Sequence, residues 1–338
     1  MPTTAVFEAR ARPVGSAPAR PHGGQAAFKA LGEYHAWEHV NDKGHPDVHE
    51  AFRGIRRVLE AYDGDRFVVG EIHQFDWEQW ASYYGAGDEL HMPFNFSLVW
   101  AEWSARALRL RIEGLEAAIF DHGWPNYVLG NHDEQRLATR YGPQNAAAAA
   151  VLLLTLRGQP TLYYGDELGM TEVAVAAERQ HDPWGKRVPG LSRDGCRTPM
   201  PWTGVAGHGF TQPHVAPWLP FGDDADRRNV EAQLADGGSL LNLYRRLIAL
   251  RKACPSLHSG TIQIIDALPV HILGYERSHE GERTLVYVNT GDADQAVRVG
   301  AQAELLVSTH RDRETVRAGS FTLLPNEAAV FDVSPVPA

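Results

Sequence analysis

Cysteine is the scarcest chemistry-bearing residue in this chain: among 338 residues only Cys196 and Cys254 occur. Two thiols form at most one bridge, which excludes a disulfide-stapled scaffold and makes a reduced cytoplasmic compartment the expected setting. The N-terminus lacks the charged-then-apolar order of a secretory signal. Long apolar runs are missing too. The longest, Ala146 to Leu156, is too short to cross a bilayer and is rich in Ala and Leu, so it reads as a buried helix and no membrane partner is expected. Positive charge is in deficit, with 32 Lys and Arg against 42 Asp and Glu and a net charge of -10. Phosphate binding needs clustered cations, so no nucleic-acid partner is expected and the acidity reads as solubility. His45 and His49 lie close together, but no Cys or third ligand accompanies them at ligand spacing. They read as solvated surface residues, and no metal or cofactor is expected.

What is present is an ordinary globular composition, 43% hydrophobic and 22% charged, long enough for about two domains. The stretch on which the chain turns is Tyr127-Val128-Leu129-Gly130-Asn131-His132-Asp133. Apolar strand-formers run into a Gly, and then three polar groups arrive together. In a parallel α/β sheet or barrel the carboxyl end of a strand is where ligands bind, which puts Asn131, His132 and Asp133 at the mouth of the fold. The alternative is a helix cap, since Asn and Asp are favoured at helix starts.

The same grammar recurs at Phe67-Val68-Val69-Gly70-Glu71 and at Thr161-Leu162-Tyr163-Tyr164-Gly165-Asp166-Glu167. Each run is of strand length and ends in Gly and then a carboxylate. Gly70-Glu71, Asn131-His132-Asp133 and the run from Tyr163 to Met170 resemble, in order, the later barrel motifs of the α-amylase superfamily (glycoside hydrolase family 13), and most closely its bacterial α-glucosidase and oligo-1,6-glucosidase branch. The resemblance begins abruptly near Glu33-Tyr34-His35-Ala36-Trp37 and runs to the C-terminus.

In chain order, residues 1–30 are Ala, Arg, Pro and Gly without period and read as a disordered leader. Val48, Phe52, Ile55, Leu59 and Tyr62 are spaced for one helix face that delivers the chain into the strand at Phe67. Leu90 to Phe96 resembles the sixth barrel strand, and Leu108, Ile112, Leu115 and Ile119 mark a second helix before Pro125. Alternating strands and helices imply right-handed crossovers and parallel strands. A helix from about Gln144 to Arg157 leads into the last strand. Residues 171–235 are too long for an ordinary connection and read as a functional excursion. Within it, Arg193 to Trp202 looks like the segment bordering the substrate mouth in α-glucosidases, with Pro201 where relatives often carry Gln. A helix over Leu240 to Ala253 is followed by short alternating strands at Thr261–Ile265, Leu285–Val288, Val297–Val299 and Ala328–Val333. The expected fold class is therefore α/β, the C-terminal half of a (β/α)8 barrel (31–255, strands 5 to 8) followed by a small antiparallel β-sandwich (256–338).

Glycoside hydrolysis uses two carboxyl groups, one protonated and one ionised. Glu71, after an apolar strand that would desolvate it and raise its pKa, reads as the acid, and the resemblance assigns it that role. By the same resemblance Asp133 is the carboxylate that stabilises the oxocarbenium-like charge, and His132, Asn131, Arg197 and Asp194 bind sugar. Arg136, three residues on, is expected to orient Asp133 by a charge-assisted pair. Asp166 and Glu167 read as capping groups. The nucleophile is not found: relatives carry it in a Gly-Phe-Arg-x-Asp motif, and Phe52-Arg53-Gly54-Ile55 has no Asp. The resemblance implies a retaining α-glucosidase lineage whose partners are short α-glucosides, with this chain alone inactive and prone to associate through exposed barrel edges. A dead remnant that only binds sugar, an α-amylase, or a trehalose or trehalulose synthase are the alternatives.

Overall fold

The computed structural model describes residues 44–74, 76–119, 123–310 and 319–334. The leader at 1–30 and the start of the resemblance near Glu33 lie outside them. The chain forms two compact units, Met1–Ala101 with Arg111–Asn126, and Glu102–Leu110 with Tyr127–Ala338.

The first unit opens with helix α1 (Asp47–Glu60), acidic in its first turn and basic in its last, as the helix dipole favours. Its expected apolar face is only partly covered: no residue of α1 is fully buried and Ile55 is 46% exposed, while Val48, Phe52 and Leu59 are half-buried, Phe52 against the Tyr83 ring. Charge anchors the helix instead. Buried Glu89 takes Arg53 Nη1 on one oxygen and His49 Nδ1 on the other, each at 2.8 Å. Strands β1 (Val69–Glu71) and β2 (Met92–Phe94) pair in parallel, with Glu71 opposite Phe94, as a βα crossover requires. At Gly70 a Cβ would crowd the Leu90 side chain, which would have to shift to admit it. Leu90, Trp80 and Tyr84 are buried, the two rings meet edge to face, and Trp80 Nε1 donates to the Phe94 carbonyl at 3.2 Å.

Helix α2 (Ala105–Ala118) contributes to both units and buries Leu108, Ile112 and Leu115 completely, the face their spacing predicts.

Strand β3 (Asn126–Val128), which enters the second unit at Tyr127, pairs with β4 (Gln159–Thr161). Helix α3 (Ala146–Thr155) lies between them in sequence and is buried at every residue except Ala147, as its all-round apolarity demands. Residues 171–229 hold only short helical turns, as their composition suggests. Helix α4 (Leu240–Ala253) starts where Ser239 Oγ accepts from Asn242 N at 3.2 Å.

The chain then builds β5 (Thr261–Ile264), β6 (Ile272–His279), β7 (Glu282–Asn289), β8 (Gln295–Arg298), β9 (Glu304–Ser308), β10 (Ser320–Leu323) and β11 (Ala328–Asp332). Five of them form a sheet in the order β5-β6-β7-β11-β9, antiparallel wherever the pairing is resolved, and β8 and β10 form a second antiparallel pair. Phe321, Leu323 and Val297 pack on Ile272, Tyr287 and Phe331, so the two sheets share one apolar layer. The parallel pair, the intervening helices and the terminal antiparallel sheets are the elements expected of a partial α/β barrel followed by a small β domain.

Candidate active site

Strand β3 and Leu129 behind it are fully buried. At Gly130 the chain leaves the core, with the Asp166 carboxyl close enough that a Cβ would lie 3.3 Å from its Oδ2. Asn131 then turns the backbone: its Oδ1 accepts from Asp133 N at 2.9 Å, an Asx-turn. The turn raises His132, whose side chain is 60% exposed, beside Asp133, which is 30% exposed, with Nε2 3.6 Å from Asp133 Oδ1. These three residues form a site turn and not a helix cap, since the next helix starts at Leu137 behind Arg136 without a side-chain cap.

Two guanidinium groups hold Asp133. Arg193 Nη1 donates to Oδ1 at 2.9 Å and Arg197 Nη2 to the same oxygen at 2.7 Å. Oδ2 has no protein partner among the described residues and is left to accept from a ligand. Arg197 also donates from Nε to the His132 carbonyl at 2.7 Å, so one side chain fixes both residues of the pair. Arg193 is itself held by Asp182, whose side chain is fully buried: Nη2 reaches Oδ1 at 2.8 Å, Nε reaches Oδ2 at 2.9 Å, and the Arg193 backbone N–H adds a bond at 2.8 Å. This fork holds the Asp182 carboxyl well below the usual carboxylate range and raises the Arg193 pKa in turn.

Asp194 is buried beneath the site, where it accepts from His181 N at 2.6 Å and Asp182 N at 3.0 Å. It latches backbone that carries Asp182. Cys196, buried, donates to the Arg193 and His132 carbonyls, and burial pushes its thiol up to about 12.

Arg136 departs from expectation. It is 1% exposed and donates from Nη1 to the Tyr164 carbonyl at 2.6 Å, under the Tyr164 ring, and it makes no pair with Asp133. Residues three apart face each other on a helix, but the chain from Asn131 to Arg136 is a turn, so the spacing carries no such meaning there. Arg193 and Asp182 are the residues that sequence reasoning missed. Arg193 stands in the segment read as bordering the substrate mouth, and that neighbourhood was its one signal.

Glu71 ends β1 in the other unit, with His73 Nε2 3.1 Å from its Oε1. The desolvation expected for it is not found: its side chain is 51% exposed, and Val69 and Phe67 before it are 42% and 64% exposed. Among the described residues β1 pairs with β2 alone, so no second strand covers its other edge. Strand β4 ends at Thr161, earlier than the apolar run suggests, and Gly165 adopts φ +87 to turn the chain. Glu167 Oε2 caps the Gly165 N–H at 2.7 Å, as expected. Asp166 does not cap: burial raises its carboxyl to about 7, and its Oδ1 has no hydrogen-bond partner.

Beside the Asp133 clamp opens a cavity of about 670 Å³, with Arg197 in its wall and Trp202, Phe210 and Trp218 among its lining. Among the described residues no group of three or more His, Cys, Asp or Glu is placed to hold a metal ion, and no helix is long and apolar enough to cross a membrane.

Residues 20–260 match the family described as the α-amylase catalytic domain. A probable α-glucosidase of Rhizobium meliloti is 32% identical over 78% of this chain and 49% of its own length. An oligo-1,6-glucosidase of Halalkalibacterium halodurans is 29% identical over 85% of this chain and 58% of its own. The α-glucosyl transfer enzyme XgtA superposes with a TM-score of 0.79 at 31% identity, covering 90% of this chain and 57% of that one. The trehalulose synthase MutB of Pseudomonas mesoacidophila MX-45 superposes at 0.76 and 26% identity, covering 85% and 59%. The chain thus spans about half the length of the curated relatives it matches. Its partial barrel and its terminal antiparallel sheet agree with these likenesses, and the chain belongs to the α-amylase catalytic-domain family, glycoside hydrolase family 13.

Proposed function

We propose that this chain serves the hydrolysis of terminal α-glucosidic bonds in short oligosaccharides of the maltose, isomaltose or sucrose type, in a reducing cytoplasm. The observation that carries the proposal is Asp133, set at a strand end by two arginines with one oxygen left open and His132 alongside. A carboxylate so fixed can accept hydroxyls of a pyranose ring and face the positive charge that develops as the glycosidic bond breaks. Glu71 is assigned proton donation to the leaving oxygen. Its side chain is half exposed in this structure, within reach of solvent and of a bound glucoside. Retention also needs a nucleophilic carboxylate about 5 to 5.5 Å from the acid. The Gly-Phe-Arg-x-Asp motif that brings it does not occur among the 338 residues, so turnover is proposed to require a carboxylate from outside this stretch.

The test compares the 338-residue protein alone with the same chain joined to the first half of a related α-glucosidase, using 4-nitrophenyl α-glucoside. The joined protein should release nitrophenol, and Glu71→Gln should cost it about a hundred- to ten-thousand-fold or more. Asp133→Asn should lose rate as well. A joined protein indifferent to both substitutions rejects the assignment. Activity of the chain alone that Glu71→Gln abolishes rejects the need for an outside carboxylate. Supplying sucrose and finding trehalulose instead of glucose and fructose would favour the isomerase branch.

A further inference from the structure

Helix α4 turns a cationic face to an open cleft of about 600 Å³ that shares no residue with the cavity beside Asp133. Asn242, Arg245, Arg246 and Ala249 stand at the three- and four-residue spacing of one helix face, and Leu234 and Gly237 from the preceding turn close the other side. Asn242 pins that turn, its Nδ2 donating to the Gln233 and Asp236 carbonyls at 2.9 Å each. The two arginines are held as well. Arg245 Nη1 donates to Asn242 Oδ1 at 3.1 Å and Arg246 Nη1 to the Gly237 carbonyl at 2.8 Å. Both acceptors are neutral, and among the described residues neither guanidinium has a carboxylate partner, in a chain with 42 Asp and Glu. Because Nη1 alone is engaged, each arginine keeps its Nε–Nη2 edge, a pair of parallel donors that takes two oxygens of one oxyanion. The helix dipole does not account for these cations: it favours charge in the last turn, where Arg251 and Lys252 stand, and Arg245 and Arg246 lie mid-helix.

We propose that this cleft binds a phosphate group, free or as the monoester of a small molecule, with its oxygens on the Nε–Nη2 edges of Arg245 and Arg246 and the carbon part of an ester against Leu234 and Ala249. A phosphate dianion matches the two unspent positive charges, and its tetrahedral oxygens supply an acceptor pair for a fork. A carboxylate has one charge and one pair of oxygens, enough for a single arginine. A polyanion such as nucleic acid would meet the net charge of -10 over the rest of the surface, whereas a small dianion meets only the local field. The site is separate from the glycosidic chemistry above and stands whether or not that reading holds.

Binding is measured by titration calorimetry on the 338-residue protein in chloride buffer, with inorganic phosphate, glycerol 3-phosphate and acetate. At about pH 8, where the phosphates are dianions, phosphate should saturate one site per chain with a dissociation constant of about 1 mM or tighter, and acetate should not saturate. Arg245→Gln and Arg246→Gln, at exposed positions where a folded chain tolerates change, should each weaken phosphate roughly tenfold or more. Arg245→Lys and Arg246→Lys keep the charge without the paired donors and should weaken it as well, which separates a built fork from diffuse attraction. Glycerol 3-phosphate binding tighter than phosphate identifies the ligand as an ester, and equal or weaker binding identifies it as the free ion, each within the proposal. Absence of saturable phosphate binding, acetate binding equally well, or affinity unchanged by the Gln variants overturns it. Lys variants that bind as the parent does overturn it too, and so does a silent parent whose dimers, seen in sedimentation, dissociate on Arg245→Gln, since carboxylates of a second copy would then be the occupant.

Discussion

Asp133 owes its position to residues far from it in sequence. A carboxylate at a strand end is mobile unless its oxygens are claimed, and here a bidentate Arg193–Asp182 pair supplies a rigid arm. Because Asp182 is fully buried, the pair balances charge where a lone carboxylate would cost several kcal/mol. Asp166 shows the opposite arrangement. It is buried, its Oδ1 has no partner, and desolvation raises its carboxyl from 3.8 to about 7. A raised acid favours the fold below its unfolded pKa, and that advantage is lost as pH rises through the folded value. Stability should therefore fall between about pH 4 and 7 relative to Asp166→Asn, by up to about 4 kcal/mol. Urea unfolding of both proteins at the two ends of that range measures it, and a pH-independent difference between them would sink the assignment. Asn131, His132 and Asp133 were legible because apolar strand gives way to polar cluster at one Gly. Asp182 and Arg193 were not, since nothing local marks a contact made across a long irregular excursion.

At the scale of elements, helix α3 is the piece around which the second unit closes, and its C-terminal end is where the antiparallel part of the chain attaches. Four buried carbonyls cluster there, and two arginines from later elements answer them. Arg251 of α4 donates to Leu154 O and Leu156 O, each at 2.9 Å, and also to Gly158 O. Arg277 of β6, itself fully buried, donates to Thr155 O and, at 2.9 Å, to Gly260 O. Cations at a helix C-terminus are favoured by its dipole, and these also satisfy backbone groups that water cannot reach. Arg251→Met should keep the volume while orphaning three carbonyls, costing about 2–5 kcal/mol. Chemical denaturation reads this directly, and a loss under about 1 kcal/mol would show that water replaces the guanidinium. Helices α2 and α4 were readable because their apolar spacing matches the face they bury, and α3 because it is apolar all round and buried all round. Strand β6 was not, because Ile272 to Tyr275 are buried on both faces and leave no alternation to read. In α1 the spacing was genuine but among the described residues the face is covered only in part, which period alone never reveals.

For the whole molecule, the consequence is unspent surface. Each barrel-type strand pair has outer edges: among the described residues β1 pairs only with β2, and β3 only with β4. Large apolar side chains stay in water around the first pair, Val58 at 60%, Phe67 at 64% and Val69 at 42%. Unpaired strand edges with apolar neighbours are templates for another chain, and natural proteins guard such edges with Lys or Pro. Neither protects Val69 here, where the flanking run is Arg66-Phe67-Val68-Val69-Gly70. The purified protein should therefore self-associate at micromolar concentration, with a sedimentation coefficient that climbs as concentration is raised. Replacing Phe67 and Val69 together by Lys places two charges along the edge and should return the protein to the monomer, while circular dichroism stays that of the parent. If the parent chain runs as a single monomeric species across the concentration range, its edges are protected by residues outside those described and association is not how this surface is used. If it associates and the double Lys variant associates equally, the contact lies elsewhere, and Leu110 and Val270, at 57% and 78% exposed in the second unit, become the residues to charge next.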